Sequence, residues 1–166
     1  TMIKDLNIFR AAKKNKVKKL ITIGNLHAYP NNIIGKLSEN KMYGQLPFPA
    51  HLGIGWSKRN LSVMGKIFSK NNNYTKFIII YSANCYGPGD TLDLNYGHII
   101  PKLIIQCLKN KNFELFGSLN AVREFIYVKD LTKIIILSLI KVKKSSYFNV
   151  GSGESIKISS LVKLIK

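Results

Sequence analysis

The side chains of this sequence that could move protons or hold an anion are few. His27 and His98 carry imidazoles, which titrate near neutral pH and can therefore donate or accept a proton in a reaction. Arg123 carries a planar guanidinium that can hold a diphosphate through paired hydrogen bonds or contact nucleotide hydroxyls. Each residue also has a structural interpretation: a buried or capping histidine in two cases, and a salt bridge from Arg123 to Glu124 or Asp130 in the third.

These residues lie among segments whose apolar spacing predicts alternating helices and strands. Ser159 is expected to cap a final helix. Helices that alternate with strands indicate an α/β fold with a parallel sheet and right-handed crossovers. The spacing predicts helices at 3–12, 57–70, 99–108 and 131–140, and strands at 20–23, 77–81, 113–116, 125–128, 146–150 and 155–158.

Ligand sites in parallel sheets lie beyond the carboxyl ends of the strands, so we expect the chemistry in the loops after Ile23 and Tyr81. The first loop continues through 29–55, an irregular stretch that contains proline, glycine and asparagine. Long loops of this kind are often functional. His51 lies in this stretch with no motif around it, and we interpret it as loop surface.

A formal net charge of +18 could indicate a nucleic acid, an anionic membrane surface or an anionic substrate. Arg10, Arg59 and Arg123 are the only arginines among the 26 basic residues, and an AT-rich coding bias is sufficient to explain the lysines. A surface that reads phosphates usually employs arginine as well, and the sequence has no zinc-finger or base-stacking motif. The composition therefore argues against nucleic-acid binding.

Cys85 and Cys107 have neither metal-ligand spacing nor the number expected of a disulfide framework. A reducing cytoplasm fits this cysteine usage best. No apolar run reaches the roughly 18 residues of a membrane span. The sequence therefore predicts a cytoplasmic protein with no metal site and no membrane segment.

Three motifs follow one another along the second half of the chain. Residues 84–90 read Asn-Cys-Tyr-Gly-Pro-Gly-Asp, residues 123–130 read Arg-Glu-Phe-Ile-Tyr-Val-Lys-Asp, and residues 149–153 read Asn-Val-Gly-Ser-Gly. The first motif by itself is also compatible with an ordinary strand-to-loop turn. Together and in this order, the three resemble the signatures of the extended short-chain dehydrogenase/reductases that act on nucleotide sugars.

The resemblance implies the carboxy-terminal part of a Rossmann-like parallel sheet. We expect residues 1–97, with parts of 125–150, to form a partial Rossmann-like domain that lacks its first βαβ units. A small α/β substrate-binding region would comprise 98–124 and 150–166. The family's glycine-rich phosphate-binding loop would precede Thr1 and is expected to be absent from this chain. The implied cofactor is NAD(P), with NADP favoured, the implied substrate is a nucleotide sugar, and a homodimer is compatible with the resemblance.

The family's catalytic centre comprises a Ser or Thr, a Tyr, and a Lys four residues after that Tyr, and only part of it is present. Residues 55–59 read Gly-Trp-Ser-Lys-Arg, which makes Lys58 the candidate for the nicotinamide ribose. Ile54 stands at the Tyr position and has no proton to give. The strand end at Gly24 matches the segment that carries the Ser or Thr, with Asn25 at the hydroxyl position.

The resemblance also assigns contacts after the second strand and around the second motif. Ser82, Ala83, Asn84 and Cys85 are candidate cofactor contacts, as are Gly24 and Asn25 at the end of the first strand. Arg123, Phe116 and Asn84 are candidate substrate contacts.

The two histidines favour one branch of the family. Gly97 to Pro101 resembles the segment of GDP-L-fucose synthases in which a histidine acts as an acid, and His27 falls where those enzymes carry a catalytic cysteine. His98 would also lie beside the cofactor.

The reaction implied by this branch is epimerisation beside a 4-keto group, followed by hydride reduction at carbon 4. The alternatives are a nucleotide-sugar 4-epimerase, a dehydratase, or a pseudoenzyme that binds without turnover. Because the phenol and the phosphate loop are both expected to be missing, the chain by itself is expected to be inactive as an oxidoreductase.

Overall fold

The computed structural model describes residues 2–33, 35–70, 72, 74–95, 97–109, 115 and 117–166. The chain forms two compact units, which we call the first unit (Thr1–Ala83 and Thr132–Val150) and the second unit (Asn84–Leu131 and Gly151–Lys166). The units separate after Ala83, whereas the sequence placed the boundary after residue 97. The strand predicted at 113–116 lies outside the described residues except for Leu115.

The first unit is built on a parallel sheet of three strands, as the sequence predicted. Strands β1 (Lys19–Asn25), β2 (Lys76–Ser82) and β5 (Ser146–Val150) lie in the order β1-β2-β5, and both pairings are parallel. Strand β2 is central and is buried from Phe77 to Ser82, as its β-branched sequence requires. Helix α1 (Met2–Lys14) precedes β1, and helix α2 (Leu52–Ser69) connects the excursion after β1 to β2.

Apolar side chains of both helices and of β2 form the core of this unit. The ring of Phe9 from α1 stacks on Phe77 of β2 with centroids 5.1 Å apart, and Phe68 of α2 meets Phe9 edge-on at 5.7 Å. These aromatic contacts add to the burial of apolar surface that drives the packing. The buried cluster comprises Phe9, Ala12, Ala28, Tyr29, Met42, Leu61, Met64, Phe77, Ile79 and Tyr81.

Helix α2 begins earlier than predicted, at Leu52 rather than Ser57, because the stretch before it is organised in short turns. Three 3₁₀ turns follow β1, at Leu26–Ala28, Glu39–Tyr43 and Pro49–His51. The last of them runs directly into α2, so the helix starts against the loop that leaves β1.

Gly55 lets α2 approach that loop, and we expect Gly55→Ala to destabilise the protein by about 1 to 3 kcal/mol. A Cβ at this position would clash with Pro47 and would lie 2.5 Å from the carbonyl oxygen of His27. Chemical denaturation monitored by circular dichroism measures the effect. Gly53→Ala is the matched control in the same helix, because a Cβ at Gly53 meets nothing within 4 Å. Equal stability of the two variants would contradict the close approach.

The second unit contains a mixed three-stranded arrangement with two helices. Strand β3 (Asn84–Tyr86) pairs in parallel with β4 (Val122–Tyr127), and β4 pairs antiparallel with β6 (Ser155–Lys157). Helices α3 (Ile99–Leu108) and α5 (Ile158–Ile165) enclose a core around Leu103, Ile158 and Leu161. The pairing of β3 with β4 is the reason why the second unit begins at Asn84 and not at residue 98.

Two local predictions for this unit were wrong or incomplete. Residues 84–86, which open the first motif, were not predicted as a strand but form one, because β4, far along the chain, supplies the partner. Ser159 does not cap α5: the helix begins at Ile158 with Lys157 as its N-cap residue, and the Ser159 amide donates to the carbonyl of Leu119 at 2.9 Å. Helix α4 (Val128–Lys141) follows β4 and leads back to the first unit.

Within the described part of the chain, no helix is both long and apolar enough to cross a membrane.

Candidate functional site

Predicted cofactor residues of the first unit lie at one edge of its sheet. Asn25, the last residue of β1, is level with Ser82 of β2, and Ser82 is level with Val150 of β5. The Ala83 amide donates to the Val150 carbonyl at 2.8 Å and extends this alignment by one residue. Gly24, Asn25, Ser82 and Ala83 thus share the carboxyl edge, where ligand sites of parallel sheets occur.

Gly24 and Asn25 have identifiable structural reasons for their residue types. A Cβ on Gly24 would lie 2.5 Å from Cδ1 of Tyr81 on the neighbouring strand, so only glycine lets that ring pack there. The Asn25 side-chain oxygen accepts a hydrogen bond from the His27 amide at 3.2 Å and caps the turn Leu26–Ala28. The amide of Asn25 therefore shapes the loop at the position where the family resemblance places a hydroxyl.

Lys58 and Ile54 lie on one face of α2, since residues four apart on a helix are neighbours. The Lys58 ammonium lies 3.4 Å from the Ile23 carbonyl oxygen, which brings it to the end of β1. Ile54, one turn earlier, is 50% exposed. The helix therefore carries a lysine and an aliphatic side chain on one face, at the two positions that the resemblance compares with the family's Lys and Tyr.

Two tyrosines near α2 are committed to structural hydrogen bonds. The Tyr81 hydroxyl donates to the Lys58 carbonyl at 2.9 Å and lies 3.0 Å from Ser62 Oγ, and Tyr43 Oη lies 2.5 Å from the same Oγ. Burial raises the pKa of Tyr81 to about 12, although the hydrogen bond with Ser62 opposes the shift. The Tyr81 phenol joins β2 to α2, and the Tyr43 phenol joins the turn Glu39–Tyr43 to α2.

Arg59 is an anchor that was not predicted from the sequence. The residue is 3% exposed, and its guanidinium donates to the Ala28 carbonyl from Nε (3.0 Å) and Nη2 (2.8 Å) and to the Gln45 carbonyl from Nη1 (2.9 Å). The centroid of the Trp56 ring lies 4.9 Å from Cζ of the Arg59 guanidinium. Burial lowers the pKa of this group. Arg59 fixes the loop after β1 to α2, and its rarity among lysines was the signal that could have revealed it.

His27 and His51 lie together, although the sequence placed them in unrelated contexts. Their ring centroids are 4.7 Å apart at an interplanar angle of 61°. His51 is exposed, as expected of loop surface, but its ring contacts His27. Burial, and secondarily the neighbouring His51, lowers the pKa of His27 and favours its neutral form. Nδ1 of His27 is buried and has no hydrogen-bond partner among the residues that the structure describes.

A cavity of about 190 Å³ in the second unit contains two of the predicted substrate contacts, Asn84 and Arg123. The Asn84 side-chain amide donates to the Glu124 carbonyl at 3.0 Å, and Arg123 Nη1 donates to the Val122 carbonyl at 2.9 Å. Phe116, the third predicted contact, lies outside the described residues. The other lining residues include Ile99, Leu115, Gly117, Ser118, Ala121, Phe125 and Ile158.

The Glu124 carboxylate accepts a hydrogen bond from the glycine turn at 151–153. One of its carboxylate oxygens accepts a hydrogen bond from the Gly153 amide at 2.8 Å, and a Cβ on Gly151 would clash with that carboxylate. Arg123 and Glu124 are consecutive residues of a strand, so their side chains leave opposite faces. This arrangement places Arg123 at the cavity and the Glu124 carboxylate at the glycine turn.

The loop from Gly87 to His98 places the Asp90 carboxylate beside the His98 ring, the predicted acid. His98 Nδ1 lies 2.8 Å from Asp90 Oδ1, and the His98 side chain is 74% exposed while that of Asp90 is 16% exposed. Burial opposes ionisation of Asp90, but hydrogen bonds from His98 and from the Thr91 amide prevail and hold its pKa below the ordinary value. Burial and the nearby Asp90 raise the pKa of the Cys85 thiol, so this predicted cofactor contact is a neutral thiol at neutral pH.

Comparison with known proteins decides the family. A protein-family model with the description "NAD dependent epimerase/dehydratase family" matches residues 1–151 of this chain. The chain belongs to this family. Among curated relatives, the GDP-L-fucose synthase of Dictyostelium discoideum is 26% identical over 165 residues, which cover 96% of this chain and 51% of the relative. The chain thus spans about half the length of the curated relatives it matches.

Solved structures give the same result for the fold. A UDP-N-acetylglucosamine 4-epimerase from Methanobrevibacter ruminantium M1, in complex with UDP-N-acetylmuramic acid, superposes with a TM-score of 0.84 at 27% identity over 96% of this chain and 49% of that chain. A GDP-L-fucose synthetase from Naegleria fowleri bound to NADP gives a TM-score of 0.91 at 21% identity, over 99% of this chain and 55% of that chain. The predicted Rossmann-like α/β fold is therefore confirmed.

In this epimerase/dehydratase-family chain, the predicted site residues that the structure describes lie in three places. Gly24, Asn25, Ser82 and Ala83 lie with Lys58 at the sheet edge of the first unit, and His27 follows in the adjoining turn. In the second unit, Asn84 and Arg123 line the cavity, and His98 contacts Asp90, which also lies near Cys85 of β3. The functional roles of these residues stay predictions.

Proposed function

We propose that the protein is an NAD(P)-dependent nucleotide-sugar epimerase/reductase similar to GDP-L-fucose synthase. In this proposal it epimerises a nucleotide-linked 4-keto sugar and then reduces carbon 4. The observation that carries the proposal is the cavity of the second unit, where Asn84 and the Arg123 guanidinium lie together. A guanidinium and an amide in one cavity can hold the diphosphate and hydroxyls of a nucleotide sugar.

The first unit would hold the nicotinamide end of the cofactor, which we propose to be NADP. Its residues fit that group: the Lys58 ammonium reaches the end of β1, and the strand ends at Asn25 and Ser82 lie side by side. An ammonium there can hydrogen-bond ribose hydroxyls. The cofactor would supply the hydride for carbon 4.

The two histidines would serve the epimerisation in this proposal. His98 is exposed and hydrogen-bonded to a carboxylate, which suits a group that donates and regains a proton. His27 has a lowered pKa and is therefore a neutral imidazole that can accept one. A homodimer and a cytoplasmic location belong to the same proposal.

A second candidate function is binding without turnover, and the exposed Ile54 favours it. In the family pattern this position supplies the phenol that exchanges a proton with the sugar, and an isoleucine cannot. The candidate predicts that the protein binds GDP and NADPH but does not oxidise NADPH when a 4-keto sugar is added.

NADPH oxidation with GDP-4-keto-6-deoxymannose separates the two functions. Turnover that depends on the sugar supports the reductase and overturns the pseudoenzyme. Saturable binding of GDP by calorimetry, with no oxidation above the sugar-free blank, supports the pseudoenzyme. Absence of both binding and oxidation contradicts both functions.

Arg123→Met should weaken binding of GDP by about 10- to 100-fold, because it removes a charge-assisted hydrogen bond worth about 1.5 to 3 kcal/mol. Isothermal titration calorimetry measures the change. Arg10→Met is the matched control, since Arg10 is an exposed residue of α1. A loss of affinity that is the same in both variants would reflect net charge alone and would contradict a site at Arg123.

A further inference from the structure

We infer that Asp90 is a positioning residue that fixes the ring of His98 with Nδ1 as the donor and leaves Nε2 as the nitrogen that exchanges protons with the sugar. The catalytic part of this inference rests on the proposed function, whereas the orientation of the ring rests on the structure alone. Neither the sequence motif nor the family resemblance assigned Asp90 a role.

Asp90 is itself held rigidly. Its Oδ1 accepts hydrogen bonds from the Thr91 amide at 2.8 Å and from His98 Nδ1 at 2.8 Å, and its side chain is mostly buried. Oδ2 is buried and has no hydrogen-bond partner among the described residues, so the charge of the carboxylate is poorly solvated there. A carboxylate in this state gains most from a donor that can also carry a positive charge, which is the imidazole.

The loop geometry brings the histidine back to this carboxylate. The backbone carbonyl of Asp93 closes the turn between them, because it accepts from the Gly97 amide at 2.7 Å, a bond that any residue at this position keeps; Asp93 Oδ1 separately accepts from the Asn95 amide at 2.6 Å. The His98 carbonyl then accepts from the Lys102 amide at 3.1 Å in the first turn of α3. The backbone of His98 is thus fixed on one side by the turn and on the other by the helix.

This arrangement has a defined chemical consequence for the ring. A carboxylate cannot donate a hydrogen bond, so Nδ1 must carry the proton and Nε2 is the acceptor of the neutral ring. When Nε2 takes a proton, Asp90 stabilises the resulting imidazolium. Among the described residues, the other charged or titratable groups around this pair include the Cys85 thiol, which lies by Asp90, and the Asp93 carboxylate of the same loop. Lys102 of α3 is also near, and its ammonium donates to the Asn95 carbonyl at 3.0 Å.

The ¹⁵N chemical shifts of the His98 ring test the orientation without requiring any activity. In the unsubstituted protein, at a pH where the ring is neutral, we expect Nδ1 to be the protonated nitrogen. In Asp90→Ala we expect the shifts to move toward those of a free imidazole, with Nε2 protonated. Asp90→Asn is the second variant, because its amide oxygen can still accept from Thr91 and keep the loop while the charge is lost.

Asp93→Ala is the matched control. It removes a carboxylate from the same loop, one that also accepts from a backbone amide, but it does not remove the acceptor of the His98 ring. We expect its ring shifts to stay those of the unsubstituted protein. Shifts that stay the same in Asp90→Ala and Asp90→Asn, or that move equally in Asp93→Ala, would overturn the inference.

Kinetics with GDP-4-keto-6-deoxymannose test the catalytic part. Asp90→Ala and Asp90→Asn should lower kcat by about 10- to 100-fold with little change in KM, a fraction of what general acid–base catalysis contributes. Altered shifts with an unaltered kcat would overturn the catalytic role. If the unsubstituted protein has no turnover but the ring shifts respond as expected, the proposed function fails and the orientation of His98 by Asp90 stands.

Discussion

In the reduction of a nucleotide 4-keto sugar by NADPH, Ile54→Tyr should turn over about 100 to 10,000 times faster than the unsubstituted protein. The substitution places a phenol one helical turn before Lys58, on the same face of α2. The ammonium lowers the pKa of a neighbouring phenol, so that the phenol can exchange a proton with the sugar at neutral pH. Because the Ile54 side chain is half exposed, a tyrosine fits without displacing the core.

The control for this gain is Ile54→Phe, which adds the same ring without the hydroxyl. A gain in both variants would point to improved substrate contact and not to proton transfer. The double variant Ile54→Tyr with Lys58→Met should lose most of the gain, since the phenol then keeps its ordinary acidity. If Ile54→Tyr binds GDP and NADPH and still shows no increase in rate, the position does not carry the family's acid.

Replacement of Arg59 by Met should cost roughly 2 to 4 kcal/mol of unfolding free energy. The guanidinium is buried and provides two hydrogen bonds to the Ala28 carbonyl and one to the Gln45 carbonyl. Methionine fills much of the same volume, so the loss arises chiefly from a buried carbonyl that is left without donors. Urea denaturation followed by fluorescence of the single tryptophan, Trp56, measures the change.

Two further variants test whether the loss of stability in Arg59→Met arises from the hydrogen bonds of the guanidinium. Arg10→Met removes an exposed arginine from α1 and should alter stability by less than about 0.5 kcal/mol. Arg59→Lys keeps the charge but loses the fork that donates twice to one carbonyl, so it should also be clearly destabilised. Equal unfolding midpoints for Arg59→Met and Arg10→Met would mean that Arg59 does not anchor the loop after β1.

The order and type of the main elements were predictable from the sequence because they depend on local spacing. Helix α3 was predicted at 99–108 and occupies Ile99–Leu108, and β5 was predicted at 146–150 and occupies Ser146–Val150. Apolar periodicity sets such elements with little help from distant residues. Strand β3 was missed because three residues have almost no periodicity, and their conformation is fixed by pairing with β4.

The contacts of the candidate site were less predictable because their partners are distant in sequence. His51 contacts His27 only because the turn before α2 folds back on the loop after β1. Arg59 is recognisable as an anchor only when α2 lies against the Ala28 carbonyl. The roles assigned to Lys58, His98 and Arg123 came from the resemblance and stay predictions.

By itself, the sequence determined the family, the α/β class and the absence of a phenol at position 54, since these depend on residue identity and spacing along the chain. The tertiary structure alone decided which groups meet. It brought Asp90 to His98 and placed Asn84 and Arg123 in one cavity. The physical reason is that hydrogen bonds and burial act between groups close in space, and the spacing of residues along a chain does not encode which distant groups become neighbours.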